Sequence, residues 1–451
     1  MRLLWLSALP LASAGILLCM GRRQRLLAAG LALAAALGCA WLALTLPLGQ
    51  ATRLAGQQWM LDELGQALLC YTYVVTAVLV AISAAAGQVE PFAAPALASC
   101  SLLSAAVLAR SPTLSFLLFP AAAVSAVLTA SPPSHSAARG GARWLVCAAL
   151  PVVCVPAALS LLERSQAPGA PALPSAAVWL VVPPLVLWLT LFPFDGTMRL
   201  WSKERLSLGS LFLWAVKDWA VAYLFLLLWQ QNPELRSEHT LALVGVAGLA
   251  TAVISGALGF VQTQPSGVLA CAAMSALGIA VQGLTAGSLD AAQSALFLLA
   301  HRSLAVLLSG AALAALPFAG ARDAESSAKD LRWRRPLVLA AFAVGILALA
   351  GLPPLGGFAR GQIQPLLVGE QSYLSLAWLS ASAGIALGLA RSAWTLWHTK
   401  AEPTADPRAD LPLLLVVALL LLALSVALRP QGLARWLAEL FGELLPALKT
   451  G

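Results

Sequence analysis

Charge is scarce in this sequence. Asp, Glu, Lys and Arg supply only 10% of its 451 residues, whereas a soluble domain carries about a quarter. The few charges gather in short stretches, and between them lie apolar runs long enough to cross about 30 Å of hydrocarbon as helices. That excludes a string of soluble domains. Histidine is scarce too: there are four, and only His301 sits deep in an apolar run. A membrane cytochrome needs paired axial ligands, so haem is not expected. The seven cysteines (Cys19, Cys39, Cys70, Cys100, Cys147, Cys154, Cys271) all fall in apolar runs and none forms a CxxC pair. They read as small buried hydrophobes, not metal ligands or a disulfide framework. No GxxxxGK[ST] occurs, so no phosphate-binding loop is expected. The formal charge of +8 lies in the turns between apolar runs, which fits membrane orientation and argues against nucleic acid. No cofactor and no metal are expected.

What remains is hydrophobicity, at 60% of the chain. Apolar runs near 3–20, 26–47, 62–86, 92–109, 111–130, 143–162, 174–192, 208–229, 239–261, 267–286, 290–317, 336–353, 371–397 and 411–428 predict about fourteen transmembrane helices in an all-α, polytopic membrane protein. One membrane domain is expected over 1–451. It subdivides into helices one to three (1–91), a first repeat-like half (92–229), a second repeat-like half (239–397), and a last helix with its tail (398–451). Residues 1–20 have signal-peptide character, but the cluster Arg22, Arg23, Arg25 behind them favours an uncleaved span stopped by positive charge.

Loop charge sets the orientation. One side holds Arg22, Arg23, Arg25, Arg139, Arg143, Arg199, Lys203, Arg205, Arg322, Lys329, Arg332, Arg334, Arg335, Lys400 and Arg408; the terminal side holds the smaller set Arg2, Arg53, Arg110, Arg164, Arg236, Arg360, Arg429, Arg435 and Lys449. The richer side should be cytoplasmic, with the 321–335 segment as its largest loop and both termini outside. The expected location is a bacterial-type inner membrane. Residues 431–450 carry Leu433, Leu437, Leu440 and Leu444 on one helical face, which predicts an amphipathic helix on the interface or against a partner.

Proline and glycine interrupt two spans. Pro183 and Pro184 lie in the seventh run, and the twelfth ends in Gly351-Leu-Pro-Pro-Leu-Gly-Gly-Phe358, which includes Pro353, Pro354, Gly356 and Gly357. Such breaks suit either ordinary proline kinks or the discontinuous helices of inverted-repeat transporters.

These motifs, in their order, resemble those of a known family. Leu61-Asp-Glu-Leu-Gly resembles its third-helix opening, Phe192-Pro-Phe-Asp195 its PFH motif, and Ala215-Val-Lys-Asp218 its lysine-bearing eighth helix. Leu269-Ala-Cys-Ala-Ala-Met-Ser-Ala-Leu-Gly278 is similar to its tenth-helix motif, Ala295-Leu-Phe-Leu-Leu-Ala-His301 to its eleventh, and Gly351–Phe358 to its GLPPxxGF; Arg429-Pro-Gln431 fits the proline ending the final helix. The family is the antiporter-like, proton-conducting subunits of respiratory complex I, membrane-bound hydrogenases and multisubunit cation/proton antiporters. The resemblance implies fourteen core helices, broken seventh and twelfth helices, pseudo-symmetric inverted repeats, and partner membrane subunits. It also implies a chain with no catalytic centre of its own.

The departures bear on conduction. The resemblance implies a fifth-helix glutamate and a seventh-helix lysine, where this chain has Pro120 and Trp188. A tenth-helix histidine and an eleventh-helix lysine are replaced by Ala276 and Ala305, and the twelfth-helix charge falls at Gly361. Lys217 and His301 keep the ionisable type.

Four ionisable residues remain mid-span: Lys217 and Asp218 in the eighth run, His301 and Arg302 in the eleventh. Each is costly in lipid unless it faces protein or water and finds a partner. Lys217 and His301 are candidate proton carriers, because both can change charge in such surroundings. Asp218 and Arg302 are candidate relays, or else a structural ion pair that locks two helices. Successive helical residues point about 100° apart, so Lys217 is expected in a cavity with Asp218 directed elsewhere. The leading reading is a divergent translocating subunit moving H⁺ or Na⁺. Its rivals are a non-conducting structural paralogue and an unrelated solute transporter.

Overall fold

A backbone in hydrocarbon must satisfy its own hydrogen bonds, and this chain does so almost entirely as helix. The computed structural model describes residues 2–20, 24–54, 56–85, 89–129, 135–165, 175–194, 208–235, 237–286, 289–315, 327–352, 372–398, 416–420, 422–423, 436 and 439. Helices α1 (Trp5–Cys19) and α2 (Arg25–Thr45) precede a small antiparallel hairpin, β1 (Thr52–Leu54) and β2 (Gln57–Trp59). Then come α3 (Glu63–Ala85), α4 (Val89–Leu108), α5 (Pro112–Thr129), α6 (His135–Ala149), α7 (Cys154–Ser165), α8 (Ser175–Trp179) and α9 (Val182–Trp188). The remainder is α10 (Leu208–Gln231), α11 (Glu238–Val261), α12 (Pro265–Thr285), α13 (Leu289–Ala315), α14 (Ser327–Leu349) and α15 (Ser372–His398).

Ten helices among the described residues are long and apolar enough to span a membrane; three shorter apolar ones, Pro112–Val127, Ala176–Trp188 and Pro336–Leu349, accompany them. This is a multi-pass membrane protein. Two expectations change in detail. The sixth span is not one straight helix: α6 passes into a 3-10 turn at Leu150–Val152 before α7, where Pro151 withholds a donor from the helical ladder. The basic 321–335 segment is not all loop, since helix already begins at Ser327. The fourteenth span and the 431–450 tail fall mostly outside the described residues, as do Pro353, Pro354, Gly356, Gly357 and Gly361.

The chain forms two compact units. Among the described residues, the first comprises those up to 194 and 208–244, and the second those from 245 to 439. In the first unit, α2 turns a stripe of Ala and Cys inward (Ala28, Ala32, Ala35, Ala36, Cys39, Ala43), while Leu26, Leu37, Trp41 and Leu44 face outward. Small residues let backbones approach, and large apolar ones suit lipid. Hydroxyls tie neighbouring helices through main-chain carbonyls: Tyr73 donates to Leu6 O at 2.6 Å, Ser101 to Ser7 O at 2.6 Å and Ser99 to Ala122 O at 2.8 Å. Helix α10 is buried on every side from Leu208 to Trp229, as befits the centre of a bundle.

At one end of this unit the Leu61-Asp-Glu-Leu motif acquires a structural meaning. Asp62 caps α3, accepting from Gly65 N at 2.7 Å. It also receives the Tyr223 hydroxyl at 3.2 Å and lies 3.4 Å from the Arg110 guanidinium. Gln58 O accepts from Arg110 N at 3.0 Å, which joins the hairpin to the end of α4.

In the second unit α12 is the fully buried helix, from Gly267 to Gly283. Here α11 and α15 cross at glycine: a methyl on Gly256 would meet the Ala381 backbone, and one on Gly384 would meet Gly256 O. Trp378 donates to Gln282 Oε1 at 2.9 Å, pinning α15 to α12.

Candidate functional site

Two fully ionisable groups lie side by side in the middle of α10. Lys217 is 4% exposed and Asp218 1%. The lysine Nζ is 3.0 Å from Asp218 Oδ1. The expectation that successive residues would keep these groups apart is therefore overturned: the four-carbon lysine stem is long enough to fold back across the angle between the two Cβ atoms. Lys217 does face a small cavity, wide enough for about one water molecule and lined also by Ser99, Phe119, Trp144, Phe212 and Ala220. Its ammonium lies 5.4 Å from the Trp144 ring centre, within range of a cation–π attraction.

The other partners of the ammonium belong to the seventh run. There α8 ends in a turn at Leu180–Val181 and α9 follows over Val182–Trp188. Helix α9 stops in a Schellman ending: Thr190 N donates to Leu187 O at 3.1 Å and Leu191 N to Val186 O at 2.9 Å. Thr190 takes the left-handed conformation this motif requires, with φ of 53°. Lys217 Nζ donates to Trp188 O at 2.8 Å and to Thr190 Oγ1 at 3.3 Å. A cation at the carbonyl end of a helix also meets the negative pole of its dipole.

Trp188, which stands where the resemblance implied a lysine, fills its place with aromatic packing. Its ring stacks on Phe116 with centroids 5.2 Å apart and lies 4.7 Å from Phe119 and 6.3 Å from Phe225. Its indole donates to Ala148 O at 3.1 Å.

His301 and Arg302 belong to the second unit, on α13. His301 is 3% exposed and stacks on Phe297, with ring centres 6.2 Å apart and planes 11° apart. Its Nδ1 has no hydrogen-bond partner among the described residues. It faces a crevice lined by Leu304, Ala305, Leu308 and Gly345, all apolar. Arg302 Nε donates to Ala273 O at 2.7 Å. The twelfth run ends, like the seventh, in a Schellman turn. Gly351 N donates to Ala348 O at 3.1 Å and Leu352 N to Leu347 O at 3.0 Å. Just beyond them, Ala350 O accepts from Ser382 Oγ at 2.6 Å.

No group of three or more His, Cys, Asp or Glu side chains among the described residues could hold a metal ion. Reading the sequence singled out Lys217 and Asp218 but missed Thr190, Trp144 and the Asp62–Arg110–Tyr223 cluster. A charged residue in an apolar run is conspicuous; a threonine in one is not.

The comparisons agree with this geometry. Residues 207–386 match the family model for the NADH:quinone oxidoreductase/Mrp antiporter transmembrane region. A chain of the Mrp complex from Dietzia sp. aligns over 99% of this chain and 97% of its own, at 17% identity and a TM-score of 0.74. A chain of the archaeal membrane-bound sulfane sulfur reductase aligns over 99% and 98%, at 14% identity and a TM-score of 0.80. One from respiratory complex I of Thermus thermophilus aligns over the full length of both, at 19% identity and a TM-score of 0.71. Residues 207–386 thus carry the signature of this family's transmembrane region, and the whole length carries the fold of the antiporter-like chains of these assemblies. The structures it resembles come from multisubunit membrane complexes.

Proposed function

We propose that this chain is a divergent proton-translocating subunit of a multisubunit complex I-like or Mrp-like assembly. It sits in a bacterial-type inner membrane with both termini extracytoplasmic, beside partner subunits that hold any redox centres. One observation carries the reading: a buried Lys217–Asp218 pair, 3.0 Å apart, in the middle of α10, facing the carbonyl end of α9 and beside a cavity. Burying two charges in apolar surroundings is costly, and a proton carrier needs a group that can exist in two charge states away from bulk water. His301 is the candidate relay in the second unit.

Proton uptake into liposomes holding the full chain and the membrane subunits that accompany it, driven by an imposed potential, tests this. Lys217→Arg retains the charge but hardly ever deprotonates, so it should assemble and still block flux. Normal flux in the assembled Lys217→Arg variant would sink the conduction role.

A non-conducting scaffold is the second reading. It is favoured by the aromatic packing of Phe116, Phe119, Trp188 and Phe225, which occupies the region where the resemblance implied a glutamate–lysine pair. In that case Lys217 variants would alter assembly and leave flux per complex unchanged.

A further inference from the structure

An ammonium has three N–H bonds to give; Lys217 Nζ donates to Trp188 O at 2.8 Å and to Thr190 Oγ1 at 3.3 Å, and Asp218 Oδ1 lies 3.0 Å away as its ion-pair partner. That arrangement suits the charged form. After one N–H bond breaks, its electron pair stays on nitrogen and the proton passes to a water molecule. The amine then has two N–H groups and a lone pair facing the same three atoms. A carbonyl and a carboxylate can only accept, so a lone pair aimed at either is repelled. A hydroxyl can reverse its role.

From this juxtaposition we infer that Thr190 is a positioning residue for proton transfer at Lys217. Its hydroxyl swings from Leu189 O, to which it donates at 2.6 Å, to the lone pair of the neutral amine. The inference rests on the conduction reading above and deepens it.

The backbone supports it independently. Thr190 is the one non-glycine among the described residues with a positive φ, 53°. A β-branched side chain is poorly suited to that conformation, which glycine adopts freely. Threonine here is the wrong residue for the turn alone. Strain kept at one position beside a buried charge points to a task for the side chain.

This makes Thr190→Gly a discriminating variant, because it eases the backbone while deleting the hydroxyl. The full chain, reconstituted with its accompanying membrane subunits, is assayed for potential-driven proton uptake per assembled complex in H₂O and D₂O. If the hydroxyl stabilises the neutral amine, Thr190→Gly should assemble at least as well as wild type. Its flux should fall about tenfold, the factor expected when one hydrogen bond is lost from the rate-limiting state. Its solvent isotope effect should rise, while Thr190→Ser restores both values. Wild-type flux and isotope effect in Thr190→Gly, with Lys217→Arg blocked, would overturn the role of Thr190 and leave the conduction reading intact. Unchanged flux in Lys217→Arg would remove both.

Discussion

Thr190 and Gly351 stand at the same position of the same helix ending. Each follows a helix whose last turn closes with paired reverse hydrogen bonds, each has a left-handed φ (53° and 71°), and each is soon followed by proline (Pro193 and Pro353). The carbonyls freed at these ends meet different donors: Lys217 Nζ at Trp188 O in one unit, Ser382 Oγ at Ala350 O in the other. One ending is met by a charge and the other by a neutral hydroxyl.

The two endings should respond oppositely to substitution. Gly351→Thr places a branched side chain in the left-handed region and should cost about 1–2 kcal/mol. Thr190→Gly should cost nothing in stability. Thermal unfolding of the purified chain in detergent compares them. Equal destabilisation at both positions would mean that Thr190 holds its turn together by side-chain contacts.

Asp62 should matter for stability, although it lies at the edge of its unit and is only partly buried. It caps α3 and joins Arg110 and Tyr223. Asp62→Ala removes the cap and leaves the Tyr223 hydroxyl with Val107 O, at 3.3 Å, as its remaining partner in this cluster. The expected loss is about 1–2 kcal/mol. The ion pair adds to this, because both side chains are only about one-fifth exposed and partly buried pairs are screened less than surface ones. Tyr223→Phe should recover part of the loss in the Asp62→Ala background. Full additivity of the two changes would argue that the residues do not act together.

Much of this was legible in the sequence for one physical reason: hydrocarbon tolerates few alternatives. Apolar runs at Leu208–Gln231 or Pro265–Thr285 had to be helices, and a charge such as Lys217 within one had to be accommodated by protein. What escaped notice depends on contacts distant in the chain or on backbone sign. Nothing in Leu189-Thr190-Leu191 announces a positive φ, since threonine rarely adopts one. The hairpin at Thr52–Trp59 lacks the alternation of a half-buried strand, because its residues are mostly exposed. The Cβ directions of Lys217 and Asp218 diverge, and only the length of the lysine stem brings the two charges to 3.0 Å.

Topology gives a further expectation from loop charge. Single cysteines placed at Arg139 or within 321–326 should resist an impermeant thiol reagent in intact cells, while one at Gly451 should react. The chain's own cysteines must first be replaced by alanine. Only Cys19 among them is exposed, which makes the background tractable. Labelling within 321–326 in intact cells would reverse the assigned orientation.

The Lys217–Asp218 pair makes the most quantitative prediction. Each partner compensates a charge that is almost fully buried (3% and 2% side-chain exposure). Asp218→Asn keeps shape and removes the negative charge, leaving the ammonium with neutral acceptors. Loss of one member of a buried pair costs about 3–5 kcal/mol, so this variant should unfold well below wild type. Lys217→Met should be similarly damaging, because it leaves the Asp218 carboxylate without its cation. The double variant Lys217→Met, Asp218→Leu removes both charges and should regain most of the stability, since replacing a whole buried pair by apolar groups is close to neutral. A thermodynamic cycle over these variants, measured by unfolding in detergent, should give a coupling above about 2 kcal/mol. The same proteins separate structure from transport: the double variant should be stable and carry no proton flux. A coupling near zero would mean that the 3.0 Å contact is incidental and that Lys217 is held chiefly by Trp188 O and Thr190.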